Sequence, residues 1–181
     1  MTTSPTKRNE GSRQRRQAIL NAALDVFAAD GFAAARLDDV AAKAGVAKGT
    51  IYLFFKDKED LFEQILINAL VPVLAKIETL ASEPSLPFDT TLAILYEFFE
   101  KEVLKTKRRE IIRLVLTEGQ RFPRIAETYH REVISKGLKL LERIIRNANA
   151  HGALRTDDLV RFPHLVFAPL LVALLWDSLF S

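Results

Sequence analysis

Between sparsely placed glycines and prolines, at Gly31, Gly45, Pro84, Pro87, Gly119, Pro123 and Gly152, apolar residues recur every three to four positions and no stretch alternates with a strand period. That pattern confines the chain to an all-α fold. The stripes predict helices over 13–29, with Ile19, Ala22, Ala23, Val26 and Phe27 inward, over 37–44, over 48–55 and from Lys58 onward, where Pro72 should kink or end the helix. Gly31 stands where a left-handed cap belongs. After a linker over 81–87, Asp89 can cap a helix to about residue 104, followed by helices over 108–118 and 124–150, the last closed by Gly152. Asp157 or Asp158 then caps an apolar segment reaching Phe180.

Composition removes several functions. At 181 residues, 49% hydrophobic and 27% charged, the chain can bury an ordinary globular core. With no Cys it has no disulfide scaffold, thiolate zinc site or cysteine nucleophile. Residues 1–12 are polar and read as a loose basic arm, not a signal peptide. The longest uncharged stretch, Phe162 to Trp176, spans 15 residues and holds two prolines and His164. A spanning helix needs ~18 or more. The expectation is a cytoplasmic protein with no membrane partner. His130, His151 and His164 are scattered, and the Glu127/His130 pair lacks the second copy that a di-iron bundle requires, so neither metal nor cofactor is expected. No P-loop, GxSxG or HExxH occurs, and no acid, base and nucleophile set converges, which argues against an enzyme.

Net charge, +3 from 26 basic and 23 acidic residues, does not announce nucleic acid. The informative segment is local: Arg36 to Phe55, RLDDVAAKAGVAKGTIYLFF. Two short helices can cross at a tight turn only where the crossing has small side chains and the turn tolerates positive φ. Ala41 and Ala44 supply the first and Gly45 the second, while Val40, Val46, Ile51 and Phe54 hold the pair together. This is a helix-turn-helix pattern. The second helix of such a unit lies in the DNA major groove and reads base edges with its amino-terminal residues. Lys48 can neutralise a phosphate or donate to guanine, Gly49 admits the backbone close to DNA, and Thr50 and Tyr52 offer hydroxyls.

The run from Ile19 to Ile65, with GF at 31–32, DDVAAKAGVAKGTIYLFF at 38–55 and KDKEDLF at 56–62, resembles the amino-terminal domain of TetR/AcrR-family transcriptional regulators. The resemblance covers about a third of the chain. It implies a three-helix DNA-binding domain over 13–60, with its helix-turn-helix at 36–55, followed by a larger helical bundle over 61–181 for ligand binding and dimerisation. It places DNA contacts at Arg36, Lys48, Gly49, Thr50, Tyr52, Leu53, Phe54 and Lys58. Two departures stand out: Ala47 replaces the usual Ser or Thr cap, and Leu53 offers apolar contact alone, which suits a thymine methyl.

The resemblance also implies an inducer site in the larger half, for which the aromatic residues Tyr96, Phe99, Phe122, Tyr129, Phe167 and Trp176 are the candidate lining for a small apolar or aromatic effector. Core packing is the alternative reading of each. The segment from Leu159 to Phe180 is apolar nearly all round, as a buried or interface helix would be. Because the chain stops inside it, either the natural protein is longer or an edge of the dimer surface is missing. The reading is a homodimeric repressor released from a palindromic operator on double-stranded DNA by a small effector. The competing readings are a helical-bundle carrier or enzyme that keeps the fold without binding DNA, and a membrane-associated helical protein.

Overall fold

The computed structural model describes residues 7–80 and 86–180. Met1 to Thr6 of the expected arm and 81–85 of the expected linker lie outside the described residues. Helix α1 spans Lys7–Asp30, so the last residues of the expected arm belong to its first turns. It is followed by α2 (Leu37–Ala44), α3 (Lys48–Tyr52) and α4 (Lys58–Leu80). In the carboxy-terminal half come α5 (Phe88–Phe99) with a π-helical continuation over Glu100–Leu104, then α6 (Arg108–Glu118). Next, α7 (Pro123–Tyr129) passes through a π segment at His130–Ile134 into α8 (Ser135–Ala150). The chain closes with α9 (Asp158–Arg161), a 3-10 turn at Pro163–Val166 and α10 (Ala168–Phe180).

Local chemistry explains the ends. Gly45, at φ +67°, terminates α2 in a left-handed cap: its N–H reaches Ala42 O at 3.2 Å and Val46 N–H reaches Ala41 O at 3.0 Å. Asp57 caps α4, its Oδ1 accepting Asp60 N–H at 2.7 Å. Asp89, expected as the cap of α5, lies inside its first turn, because the Pro87 carbonyl already accepts Thr91 N–H at 2.9 Å and starts the helix two residues earlier. Pro72 does not end α4. It faces solvent, and the buried Leu70 and Val73 beside it hold the helix against the bundle. The apolar end, expected as one segment, is broken at Phe162 to Phe167, where Pro163 opens the 3-10 turn.

Helix α1 packs on α2, α4 and α6, and α4 packs in addition on α7 and α8. The larger core cluster runs without a break from Ile19, Phe27 and Phe32 through Ile51, Phe62 and Leu66 to Ile111, Leu114 and Leu174. A second, smaller cluster forms around Leu141, Ile145 and Val166, with Leu92, Tyr96 and Phe167 leaning on it. The two clusters do not merge, and a gap is left between them. Helix α4 crosses residue 60 unbroken and carries the helix-turn-helix end of the molecule directly into the bundle.

Candidate nucleic-acid interface and interior cavity

The orientation of α3 follows from one buried residue. Ile51 is 1% exposed and anchors the helix to the core, which turns its neighbours Tyr52 and Leu53 outward, 52% and 81% exposed. Leu53 is the most exposed of the large apolar side chains among the described residues. Arg36, Ala47, Lys48 and Gly49 are also exposed, and Thr50 is half-buried. A Cβ built on Gly49 meets nothing within 4 Å, so this face of the backbone is open. Ala47 at the N-cap provides no side-chain hydrogen bond, the structural consequence of the residue exchange noted in the sequence. Lys48 Nζ rests on Asp38 Oδ2 at 3.0 Å, an exposed pair worth little in water, and can leave it at small cost.

Two expected contact residues sit elsewhere. Phe54 is half-buried and packs against the core, with its ring 6.3 Å from that of Phe55, so it braces α3 from below. Lys58 turns inward. Its Nζ donates to the carbonyls of Phe32, Ala33 and Ala35 at 2.7, 3.0 and 3.0 Å and lies 4.9 Å from the Phe32 ring centroid. All three ammonium hydrogens are thereby spent on the loop between α1 and α2, and none is left for a phosphate. Burial pushes the Lys58 ammonium below the usual lysine range, with Glu118 opposing the shift. Residue type alone does not signal this arrangement, because the acceptors are main-chain groups gathered by tertiary structure.

Below this face, ion pairs tie the amino-terminal helices to the bundle. Arg124, on α7, reaches Asp57 at 3.3 Å, Glu63 at 3.1 Å and Glu59 at 3.9 Å, all at the start of α4. Asp25 of α1 holds Lys107 at 2.5 Å and Lys43 of α2 at 3.4 Å. The Asp60 amide, and after it Arg124, keep the Asp57 carboxyl below its ordinary value of 3.8. A depressed carboxylate contributes stability that is fully present above its unfolded-state value and is lost as pH falls through the folded one. Asp57→Ala should therefore cost about 1 kcal/mol at neutral pH. In urea titrations the deficit relative to wild type should shrink as the pH is taken below about 4.

The gap between the two core clusters is a cavity of about 220 Å³. Leu70 and Leu74 of α4, Phe99 and Val103, Val133 and Ile134, and Leu138 and Leu141 of α8 form most of its wall. No Asp, Glu, Lys or Arg contributes, and the polar side chains at the wall are Tyr96, Tyr129 and His164. Of the six aromatic residues singled out, Tyr96, Phe99, Tyr129 and Phe167 line the cavity. Phe122 does not: its ring stacks edge-on to Phe32 at 4.6 Å, in the junction below the helix-turn-helix. Trp176 does not either, since α10 turns it to the surface, 65% exposed. Both π segments border the cavity, through Val103 and through Val133 and Ile134, a placement that nothing in the sequence signalled.

A helix-turn-helix that shows one short helix to solvent, carried on a bundle with an apolar interior site, is the architecture of a ligand-responsive DNA-binding regulator. Comparison with known proteins agrees. A family model described as bacterial regulatory proteins, tetR family, matches residues 19–65, and one described as AefR-like transcriptional repressor, C-terminal domain, matches 90–181. The uncharacterized HTH-type transcriptional regulator YhgD of Bacillus subtilis is 36% identical over 137 residues, which is 71% of this chain and 71% of YhgD. The chain belongs to the TetR family of transcriptional regulators. Among solved structures, FadR from Bacillus subtilis in complex with stearoyl-CoA superposes with a TM-score of 0.74 at 23% identity, covering 90% of this chain and 87% of FadR. The SmeT–triclosan complex superposes with a TM-score of 0.73 at 22% identity, covering 92% of this chain and 83% of SmeT. At those identities the likeness speaks for the fold alone.

Proposed function

We propose that this regulator is a homodimeric repressor in the cytoplasm, bound to a palindromic operator and released from it by a small apolar or aromatic effector. Residues 13–60 make up the DNA-binding unit and 61–181 the ligand-binding and dimerising bundle. The observation that carries the reading is the outward stance of α3, with Ile51 buried beneath an exposed Tyr52 and Leu53. Lys48 and Arg36 serve phosphates, Thr50 and Tyr52 offer hydroxyls, and Leu53 meets a thymine methyl. Lys58 and Phe54 act indirectly, by fixing the loop and the helix that present these groups. Two copies of α3 must enter successive major grooves ~34–36 Å apart, which requires a two-fold mate. The exposed apolar side chains of the carboxy-terminal end, among them Phe162, Leu165, Val172 and Trp176, supply a surface for one. Among the described residues no helix is long and apolar enough to cross a membrane.

Release follows from how the cavity is built. Its wall includes Tyr129, Val133 and Ile134, which continue directly from α7, and α7 carries Arg124 against the base of α4. A ligand that spreads this wall shifts α7 and α4 together and changes the spacing of the two α3 helices. A coupling of ~1–3 kcal/mol lowers operator occupancy 5- to 150-fold.

Gly49→Ala and Leu53→Ala test the interface together. Gly49 is helical and faces open space, so alanine should leave stability unchanged or raise it by up to about 1 kcal/mol while lowering operator affinity about tenfold, because its methyl stands where the backbone must approach DNA. Leu53→Ala should flatten sequence preference with little change in the salt dependence, which phosphate contacts set. Titrations of labelled duplexes over a range of salt, beside thermal unfolding, read both. Unchanged operator binding by both variants would remove α3 from the interface, and weak, salt-independent binding to every duplex by the wild type would favour the carrier.

A further inference from the structure

The cavity between the core clusters has a chemistry more specific than its volume. Its wall contains no ionised carboxylate, ammonium or guanidinium. Of its two phenols, Tyr96 is committed: its hydroxyl donates to Val166 O at 3.0 Å and ties α5 to the 3-10 turn. The Tyr129 hydroxyl makes no hydrogen bond among the described residues, although Tyr129 lies at the wall and burial pushes its pKa up to about 12. Such a phenol is neutral across the physiological range and brings an unpartnered donor and acceptor to the wall of an otherwise hydrocarbon space. The one other polar side chain at the wall, His164, is exposed and stacks against Phe162 at 6.0 Å, so it belongs to the rim. A dry hydrocarbon cavity of about 150 Å³ takes one benzene ring. At about 220 Å³, this one suits one or two rings, or a ring with a short alkyl chain.

From this we infer that the effector is an uncharged, compact hydrophobe with a single hydrogen-bonding oxygen or nitrogen, and that Tyr129 is the residue that reads that atom. The inference rests on the cavity being the effector site. Selectivity arises from desolvation on both sides. A carboxylate entering this wall loses its water and gains no cation, whereas a neutral phenol or alcohol gives up one or two hydrogen bonds and recovers one from Tyr129. An alkylbenzene without the polar atom gains the same apolar contact but leaves the Tyr129 hydroxyl unpaired, so it binds less well. The cavity thus discriminates by charge first and by one hydrogen bond second.

The full-length protein, bound to a labelled duplex carrying its operator, is titrated with 4-butylphenol, butylbenzene and octanoate at pH 7.5, with binding measured in parallel by calorimetry on the free protein. Wild type should bind 4-butylphenol about tenfold more tightly than butylbenzene and bind octanoate at least tenfold more weakly than either. Tyr129→Phe should bring 4-butylphenol down to the level of butylbenzene and leave butylbenzene within twofold of its wild-type affinity. That split separates a hydrogen bond from a general loss of structure, which would weaken both probes. Octanoate binding as tightly as 4-butylphenol, or a Tyr129→Phe variant that keeps the phenol preference, overturns the assignment while leaving the effector site in place. If Val133→Phe, which fills the cavity from the α7 side, leaves the binding of all three probes as in the wild type, the cavity is not the site and both readings fall.

Discussion

Lys58→Met should lower the free energy of unfolding by roughly 2–4 kcal/mol and the midpoint of thermal unfolding by roughly 5–15 °C. Methionine keeps most of the lysine stem and so most of its packing against Phe32, but it abandons the carbonyls of Phe32, Ala33 and Ala35, each of which accepts from Nζ at 3.0 Å or less. A hydrogen bond to a charged group contributes about 1.5–3 kcal/mol where water is excluded. Lys58 is half-buried, so part of that loss is recovered when water reaches the freed carbonyls, and the net cost stays well below three full bonds. Operator affinity should fall with stability, since the loop that Lys58 holds fixes where α2 and α3 sit on α4. A phosphate-binding lysine would behave differently, with an unaltered melting curve and a salt slope reduced by about one. Calorimetry and duplex titration on the same preparation tell the two apart, and an unchanged midpoint would reinstate Lys58 at the DNA.

Lys58 also marks where sequence reasoning reaches its limit. The helix-turn-helix was legible because its constraints are local: only a glycine takes φ +67° at position 45 without strain, and Ala41, Gly45 and Ile51 fall on α2, the turn and α3 at fixed steps whatever surrounds them. Helix α6 appeared at its full extent, 108–118, for the same reason. Lysine, by contrast, is polar in every context, and its partners here come from carbonyls 23 to 26 residues away in sequence. Aromatic residues carry a similar ambiguity. Phe122 and Phe99 look alike in sequence, yet one completes the junction and the other lines the cavity, because the side of the bundle that each helix presents is settled by packing. The π segments leave no trace at all, since one extra residue in a turn changes the hydrogen-bond ladder without altering residue type. Pro72 misleads for an energetic reason: the lost main-chain bond lies on a solvent-facing side of α4, and burial of Leu70 and Val73 outweighs it.

Phe32→Ala should be the most damaging single truncation in the junction, costing about 3–5 kcal/mol and lowering the unfolding midpoint by roughly 6–20 °C. Phe32 has no exposed surface, and its ring meets those of Phe27 at 5.3 Å, Phe62 at 5.4 Å and Phe122 at 4.6 Å, all three contacts set edge-on or nearly so. These rings come from the end of α1, the loop after it, α4 and the turn before α7, so one side chain fastens the helix-turn-helix end to the bundle. Removing it takes away the apolar burial of a whole ring, leaves a void that rigid neighbours cannot close, and withdraws the ring beneath Lys58 Nζ. Phe122→Leu, a milder change on a half-buried partner, should cost about 1 kcal/mol and leave effector affinity untouched, because Phe122 is outside the cavity wall. The pair therefore separates two roles of aromatic residues in this half. If Phe32→Ala costs less than about 1 kcal/mol, the two ends are joined by the surface ion pairs of Arg124 and Asp25 instead, and the stability of the junction should then collapse with added salt.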